Sequence, residues 1–375
     1  MKERVLILGV HLKNEGYPNV LYRVKGLKSS EWCDVEEINE PMFADPSGVK
    51  RPLLFRFAKA VYAHLLVLAK FFLVCRVSSM YIPYPAIFVA YIISLLPKFL
   101  RPKRIVLDAF ISIYDTVIND RKLLASDSLT AKLLKHVEGR AYTAADVVVV
   151  DTPHNRSYLC DEFNLDKGKV VSVPLSTNEV HFVAKPYLQK NTSLCRVLFI
   201  GTFVPLQGVS VVFEAARELV GFPHIQFQII GDGQTSEEVK TAMVGKPINL
   251  VWDKSWKTPE ELSRLIGEAD ICLGVFGGTD KAQRVCPFKL YSYASSGRAI
   301  LTGDTDWTAD ICQRVGYVPF ERVEINNPSA LARHIRRLAG SYETRLQLAL
   351  SSRRFYEEEL SNIKALEKFK MALLG

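Results

Sequence analysis

The sequence contains no C-x-x-C pair, no Walker-type phosphate loop and no G-x-G-x-x-G fingerprint. Its seven cysteines, Cys33 to Cys312, are odd in number and irregularly spaced, which excludes a readable zinc ribbon or disulfide frame and fits reduced, buried thiols. No low-complexity tract and no internal repeat is present, which excludes solenoids and propellers. No apolar run is long enough to span a bilayer: the greasy stretch before Phe71 is interrupted by Arg56, Lys59 and Lys70, and "MYIPYPAIFVAYIISLLP" by prolines that suit a strand followed by a helix. The opening "MKERVLILGV" has a short apolar core and no small-residue cleavage site, so it reads as a first strand of a cytoplasmic chain. The most telling absence is acidic. Between Asp45 and Asp108 there is no carboxylate, while ten Lys and Arg occur from Lys50 to Arg104.

What is present is an ordinary globular composition, 375 residues with 48% apolar and 23% charged, and a formal charge of +8. The length suggests about two domains. The basic interval, residues 50–104, is either a solvated face or, because it mixes Lys and Arg with long apolar faces, a peripheral surface on anionic lipid at the inner face of the cell membrane. Nucleic acid is not an expected partner, since these cations sit among aliphatic residues and no nucleic-acid motif is visible.

Strand-like runs alternate with helical ones from end to end, the pattern of α/β architecture with parallel sheets. Strands are expected at "RVLILGV", "SSMYIPYP", "RIVLDAF" and "DVVVVDT", and a first domain over 1–176. A polar, aperiodic linker follows over 177–195. The alternation restarts at "CRVLFIGTF" and fills a second domain over 196–352, and the charged segment 353–375 is helical. In "TPEELSRL", Thr258, Pro259 and Glu261 read as a capping box with a proline in the first turn. Two such domains imply a cleft, with ligands beyond the carboxyl ends of the strands.

Three loops carry chemistry. After the first strand, Gly9 leads into His11, Asn14, Gly16, Tyr17 and Asn19, a polar loop of the kind that binds a ligand, or an ordinary connection. "GTFVPLQG" and "IIGDG" place Gly201, Thr202, Gln207, Gly208, Gly231, Asp232 and Gly233 after two further strands; the G-x-G alone also fits a plain tight turn. The densest cluster is "TDKAQRVCPFKLYSYASSG". Lys281, Arg284 and Lys289 surround Pro287 and Phe288 at a helix start, where backbone N–H groups and nearby cations suit a diphosphate; a solvated helix start is the alternative. Trp256 in "WDKSW" either packs in the core or stacks on a base.

The order strand-"GTFVPLQG"-helix, then "IIGDG", then "CPFKLYSYASSGRAILTGD" resembles family 4 (group 1) glycosyltransferases of the GT-B fold, strongly over 196–310 and more loosely before. The resemblance implies two Rossmann-like domains facing a cleft, with the C-terminal helix crossing back to the first. It implies a first domain for the acceptor and the membrane surface, and a second for the donor. The activity implied is transfer of a sugar from a nucleotide diphosphate sugar to an acceptor that is often lipid-linked, usually with retention, with no metal and no further cofactor. Asn14, Gly16, Tyr17 and Asn19 are then acceptor-side candidates. The family's arginine and lysine in the strand-end loop fall on Thr202 and Gln207, and its two glutamates on Arg284 and Ser292, so the site is either lost or neutralised by Lys281, Arg284 and Lys289 instead. Asp108, Asp115 and His11 are the candidates for orienting sugar or acceptor, against helix caps for the two aspartates and a structural role for His11. A nucleotide-sugar epimerase needs acidic groups that this region lacks; a non-catalytic sugar-nucleotide binder is the remaining alternative.

Overall fold

The computed structural model describes residues 2–15, 17–42, 53–74, 78–189, 194–243 and 249–375. Gly16, Lys50, Arg51, Arg76 and Cys75 lie outside the described residues. The chain divides into two compact units: Met1–Thr177 with Asn362–Gly375, and Asn178–Ser361.

The first unit runs β1 (Glu3–Gly9), α1 (Pro18–Ser29), β2 (Cys33–Asn39), α2 (Leu53–Phe71), β3 (Ser79–Ile82), α3 (Ile87–Leu95), β4 (Arg104–Phe110), α4 (Leu129–Ala144), β5 (Val147–Val150), α5 (Pro153–Phe163) and β6 (Val170–Ser172). The strands pair in parallel in the order β2-β1-β3-β4-β5-β6, so the direction of winding reverses between β1 and β3. β1 and β5 are Val, Ile and Leu runs buried on both faces, as a sheet covered by helices on two sides requires. β2, "CDVEEIN", is the strand the sequence hid. It lies at the sheet edge, where a half-solvated strand tolerates charge and shows no apolar run.

In the second unit β7 (Cys195–Ile200), α6 (Val209–Glu218), β8 (Ile225–Ile230), α7 (Ser236–Ala242), β9 (Leu250–Asp253), α8 (Pro259–Glu268), β10 (Ile271–Leu273), α9 (Asp280–Arg284), α10 (Phe288–Ser295), β11 (Ile300–Gly303), α11 (Asp306–Val315), β12 (Glu321–Val323), α12 (Pro328–Ala339) and α13 (Tyr342–Phe355) follow in turn. The parallel order is β12-β11-β10-β7-β8-β9, the dinucleotide-fold order with its reversal between β7 and β10. Thr258 caps α8 with Pro259 at the first position and Glu261 returning the hydrogen bond, the arrangement its sequence predicts. The expected linker has no helix or strand over residues 178–189, and it is held against the second unit. Tyr187 is buried there, and the guanidinium of Arg298 donates to the carbonyls of Lys185 and Gly267.

The final helix is not one piece. α13 widens into a π-turn over Tyr356–Leu360 and breaks at extended Ser361, after which α14 (Asn362–Leu374) crosses to the first unit. There Phe369 and Leu373 pack with Val5, Ile7 and Tyr81. Among the described residues, no helix is long and apolar enough to cross a membrane.

Candidate functional site

In doubly wound sheets, ligands bind outside the carboxyl ends of the strands where the winding reverses. Each unit has one such point, and each holds residues of unusual environment.

In the second unit the point lies between β7 and β10. After β7 the chain turns through Gly201 and Thr202, dives with buried Phe203, and enters α6 through Gly208. Phe203 stacks on Trp252 with ring centroids 5.6 Å apart, which pins the loop to β9. Gly208 has φ +60°, and a Cβ there would meet the Gly277 nitrogen at 2.3 Å, so the loops after β7 and β10 touch backbone to backbone. The Phe276 N–H donates to the Gln207 carbonyl at 3.1 Å across the same seam. Gly231 and Gly233 serve close approach as well. A Cβ on Gly231 would lie 1.9 Å from the Gly201 carbonyl, and between the glycines the Asp232 carboxylate accepts from the Ser236 hydroxyl.

Into this seam comes α10. Pro287 stands at its N-cap with no side-chain acceptor, and Phe288 stacks on Tyr291. Lys289 is 8% exposed. Its Nζ donates to the Gly274 carbonyl at 3.0 Å, lies 3.6 Å from the centroid of Phe199, and comes within 3.2 Å of the point a Gly201 Cβ would occupy. The Gln207 Oε1, equally near that point, is buried and has no donor. Burial alone pushes the Lys289 amine well below the ordinary lysine range, because no charged group offsets it. Tyr293 of the same helix accepts from the Ile200 N–H at 3.2 Å, tying α10 to the end of β7. Ser292 is buried on α10. Lys281 is buried and Arg284 half-buried on α9, whose N-cap is Thr279.

Trp256 corrects an expectation. It does not pack in the core: it is 83% exposed in the loop after β9, while Trp252, four residues earlier, packs half-buried against the core. The sequence does not distinguish them, because the two stand four residues apart around the end of one short strand.

In the first unit the reversal lies between β1 and β3, and a cavity of about 90 Å³ opens there, lined by His11, Leu12, Tyr17, Tyr84 and Pro85 among others. His11 is 1% exposed. Its Nε2 is 3.2 Å from a Glu37 oxygen, while Nδ1 is buried with no hydrogen-bond partner among the described residues. Glu37 also meets Lys13 and Lys28. Burial works against its charge, but hydrogen bonds from His11, Lys28 and Lys13 hold its carboxyl far below the ordinary range. Burial pushes the Tyr84 hydroxyl up to about 12. Tyr17 is exposed at the N-cap of α1, Asn14 is exposed, and Asn19 is buried with its Oδ1 accepting from the Ser176 N–H at 3.0 Å.

Neither of the two candidate aspartates, Asp108 and Asp115, is the N-cap of a helix. Asp108 lies inside β4, 2% exposed, ion-paired with Arg23 and accepting from the Tyr81 hydroxyl at 2.8 Å and the Phe110 N–H at 3.0 Å. Asp115 opens the π-turn Asp115–Asp120 and accepts from the Asn119 amide at 3.2 Å. The loop between them is held by Glu138, which accepts from Ser112, Ile113, Tyr114 and Tyr142. Glu37, Glu138, Tyr84 and Arg23 were not among the sequence candidates. For Glu37 the only signal is an acidic residue in a strand that the sequence does not reveal. Among the described residues, no group of three or more His, Cys, Asp or Glu is placed to hold a metal ion.

No family model matches the chain, and no curated protein sequence matches it. Solved structures match over its whole length. HepE of Anabaena, in complex with UDP, aligns at TM-score 0.67 and 10% identity, covering 99% of both chains. The sucrose-phosphate synthase of Thermosynechococcus elongatus aligns at 0.67 and 14%, covering 99% of this chain and 98% of its own. The N-terminal domain of the Candida albicans trehalose-6-phosphate phosphatase aligns at 0.70 and 8%, over 99% and 97%. The fold is GT-B: two Rossmann-like α/β units with a C-terminal helix returning to the first.

Proposed function

We propose that the chain is a glycosyltransferase that moves a sugar from a nucleotide diphosphate sugar to a lipid-linked saccharide acceptor. The observation that carries this reading is Lys289: a buried amine at the winding reversal of the second unit, with no counterion among the described residues, beside the unsatisfied Gln207 oxygen and the N-terminus of α10. A diphosphate supplies the missing charge. It turns a costly buried amine into a charge-assisted pair, and the pair strengthens as the nucleoside diphosphate departs with added negative charge. Arg284 and Lys281 stand on the neighbouring helix to share that load.

The base belongs toward β9. That strand lies two positions from β7, roughly 10 Å at about 4.8 Å per strand, and the exposed Trp256 follows it as a stacking surface. In the first unit the cavity at His11 takes a hydroxyl of the acceptor or sugar, whose proton satisfies the bare Nδ1. The remaining features of the reading are membership of glycosyltransferase family 4, retention of configuration, and chemistry without metal or cofactor. It also includes a cytoplasmic, membrane-peripheral location and a role in cell-surface polysaccharide synthesis. The resemblance of "CPFKLYSYASSGRAILTGD" supports the first of these, and the fold shared with a UDP-bound protein and a sucrose-phosphate synthase supports the transferase class.

A second reading, a sugar-nucleotide binder without turnover, is favoured by the engagement of Asp108 with Arg23, Tyr81 and Phe110 and by Arg284 and Ser292 at the glutamate positions. Binding and slow hydrolysis of uridine, guanosine and adenosine diphosphate sugars separate the two. One donor is expected to bind and turn over in the wild type, and to be lost in Lys289→Ala and Arg284→Ala. Binding without turnover selects the second reading, and no binding overturns both.

A further inference from the structure

The helices that cover one side of the first unit's sheet have an outward face that none of the described residues covers. α2 buries Ala63, Val67 and Phe71, α3 buries Ala90 and Ile93, and α4 buries Ala141 and Tyr142, all in one core against β1, β3, β4 and β5. The opposite faces should then be polar, as on a helix that meets water. They are not. Tyr62 and Leu65 of α2, Phe88 of α3, Phe99 of the 3-10 turn after it, and Leu129 and Leu133 of α4 are all exposed, Phe99 by 71% and Leu129 by 84%.

Charge on this side is predominantly basic. Lys98, Lys103, Lys122 and Lys132 are exposed and make no ion pair among the described residues. Asp115, Asp120 and Glu138 are buried, which leaves Asp127 as the exposed carboxylate between Asp108 and Glu138. A large apolar face rimmed by unpaired lysines matches an anionic lipid surface, apolar atoms below the headgroups and ammonium groups among the phosphates.

We infer that the outward face of the α2–α3–α4 layer docks on an anionic bilayer, with these helices lying flat in the headgroup region. Residues 122–133 belong to the face although they lie outside the basic interval of the sequence; the fold brings them beside α3. Helices flat on the lipid place the strands parallel to the membrane plane. The cavity at the carboxyl ends of β1 and β3 then stands one helix layer above the headgroups, so the saccharide of a lipid-borne acceptor reaches His11 and Tyr84 while its lipid stays in the bilayer. The inference takes its lipid-linked acceptor from the transferase reading, but the surface is tested without it.

The test is flotation of the full chain with phosphatidylglycerol–phosphatidylcholine vesicles and with phosphatidylcholine alone. Two variants, Leu65→Glu/Phe99→Glu and Leu129→Glu/Leu133→Glu, are compared with the wild type. The wild type is expected to float with the anionic vesicles at low salt and far less with neutral ones, and each variant to lose at least about tenfold in vesicle affinity. Because the substituted positions are exposed, circular dichroism should show unchanged helix content. If the α4 variant floats like the wild type while the α2 variant does not, the flat-face geometry is wrong. If the wild type ignores vesicles, and light scattering finds a dimer that Leu65→Glu/Phe99→Glu splits, the face joins two copies and the inference falls. UDP binding is measured on the same samples. Vesicle binding without UDP binding keeps the surface and removes the transferase reading; the converse does the opposite.

Discussion

The side-chain nitrogen of Lys289 stands 3.6 Å above the ring of Phe199, where an amine is desolvated without being neutralised. Its folded-state pKa lies below its unfolded one, so below the ordinary lysine range the unfolded chain holds a proton that the folded chain lacks. The amine therefore costs stability, and the cost grows as pH falls from about 10. Lys289→Met is expected to raise the melting temperature of the ligand-free protein at pH 7.5 and to abolish nucleotide binding. A diphosphate that pairs with the amine restores its pKa, so wild-type binding takes up a fraction of a proton. Calorimetry of UDP binding in buffers of different ionisation enthalpy measures that uptake, which should be absent if Lys289 does not touch the ligand.

Asp108 and Arg23 lie 85 residues apart in sequence and form a buried pair closed by Tyr81, by the carbonyl of Pro174 at 3.1 Å from Arg23, and by Phe369 of the returning helix. Removing one charge from such a pair strands the other. Asp108→Asn is expected to cost about 3–5 kcal/mol, and Tyr81→Phe about 1.5–3 kcal/mol. A fall in the urea midpoint checks both. If Asp108→Asn leaves the midpoint unchanged and removes only donor turnover, Asp108 acts on substrate and not on the fold.

Glu37 carries the acid-side signature of the first unit. Its carboxyl is held down in the folded chain despite burial, so it adds stability above the ordinary carboxylate range and loses that contribution as acid protonates it. The stability advantage of wild type over Glu37→Gln should shrink as pH falls from about 5 to about 2. Denaturation midpoints across that window measure it. A difference that is flat with pH would mean that Glu37 is not ionised beside His11, Lys13 and Lys28.

The parts of this molecule that the sequence reveals are those set by neighbours along the chain. The capping box of α8 needs only Thr258, Pro259 and Glu261, and the buried strands announce themselves as Val and Ile runs. The N-cap position of Pro287 beside Lys289 is local too, which is why that helix start is readable. What stays hidden depends on partners far away. β2 is silent because an edge strand needs no apolar run, and the engagement of Asp108 depends on Arg23. Glu37 gains its meaning only when β2 pairs with β1 and brings it to His11. Trp252 and Trp256 show the limit most sharply: the same residue type, four positions apart, one half-buried and stacked on Phe203 and one in solvent.

That last contrast yields a test of the base side. An exposed tryptophan touches little, so Trp256→Ala is expected to leave stability within about 0.5 kcal/mol of wild type. An aromatic face that stacks a base is worth about 1–3 kcal/mol. The variant should therefore bind a nucleoside diphosphate roughly tenfold or more weakly while its affinity for inorganic pyrophosphate, which has no base, stays the same. Trp252→Ala is the control: it removes the stack on Phe203 that positions the Gly201 loop, so it should weaken both ligands and lower the melting temperature. If Trp256→Ala weakens pyrophosphate as much as the nucleotide, its effect reaches the phosphates and not the base, and the base must be sought elsewhere than beyond β9.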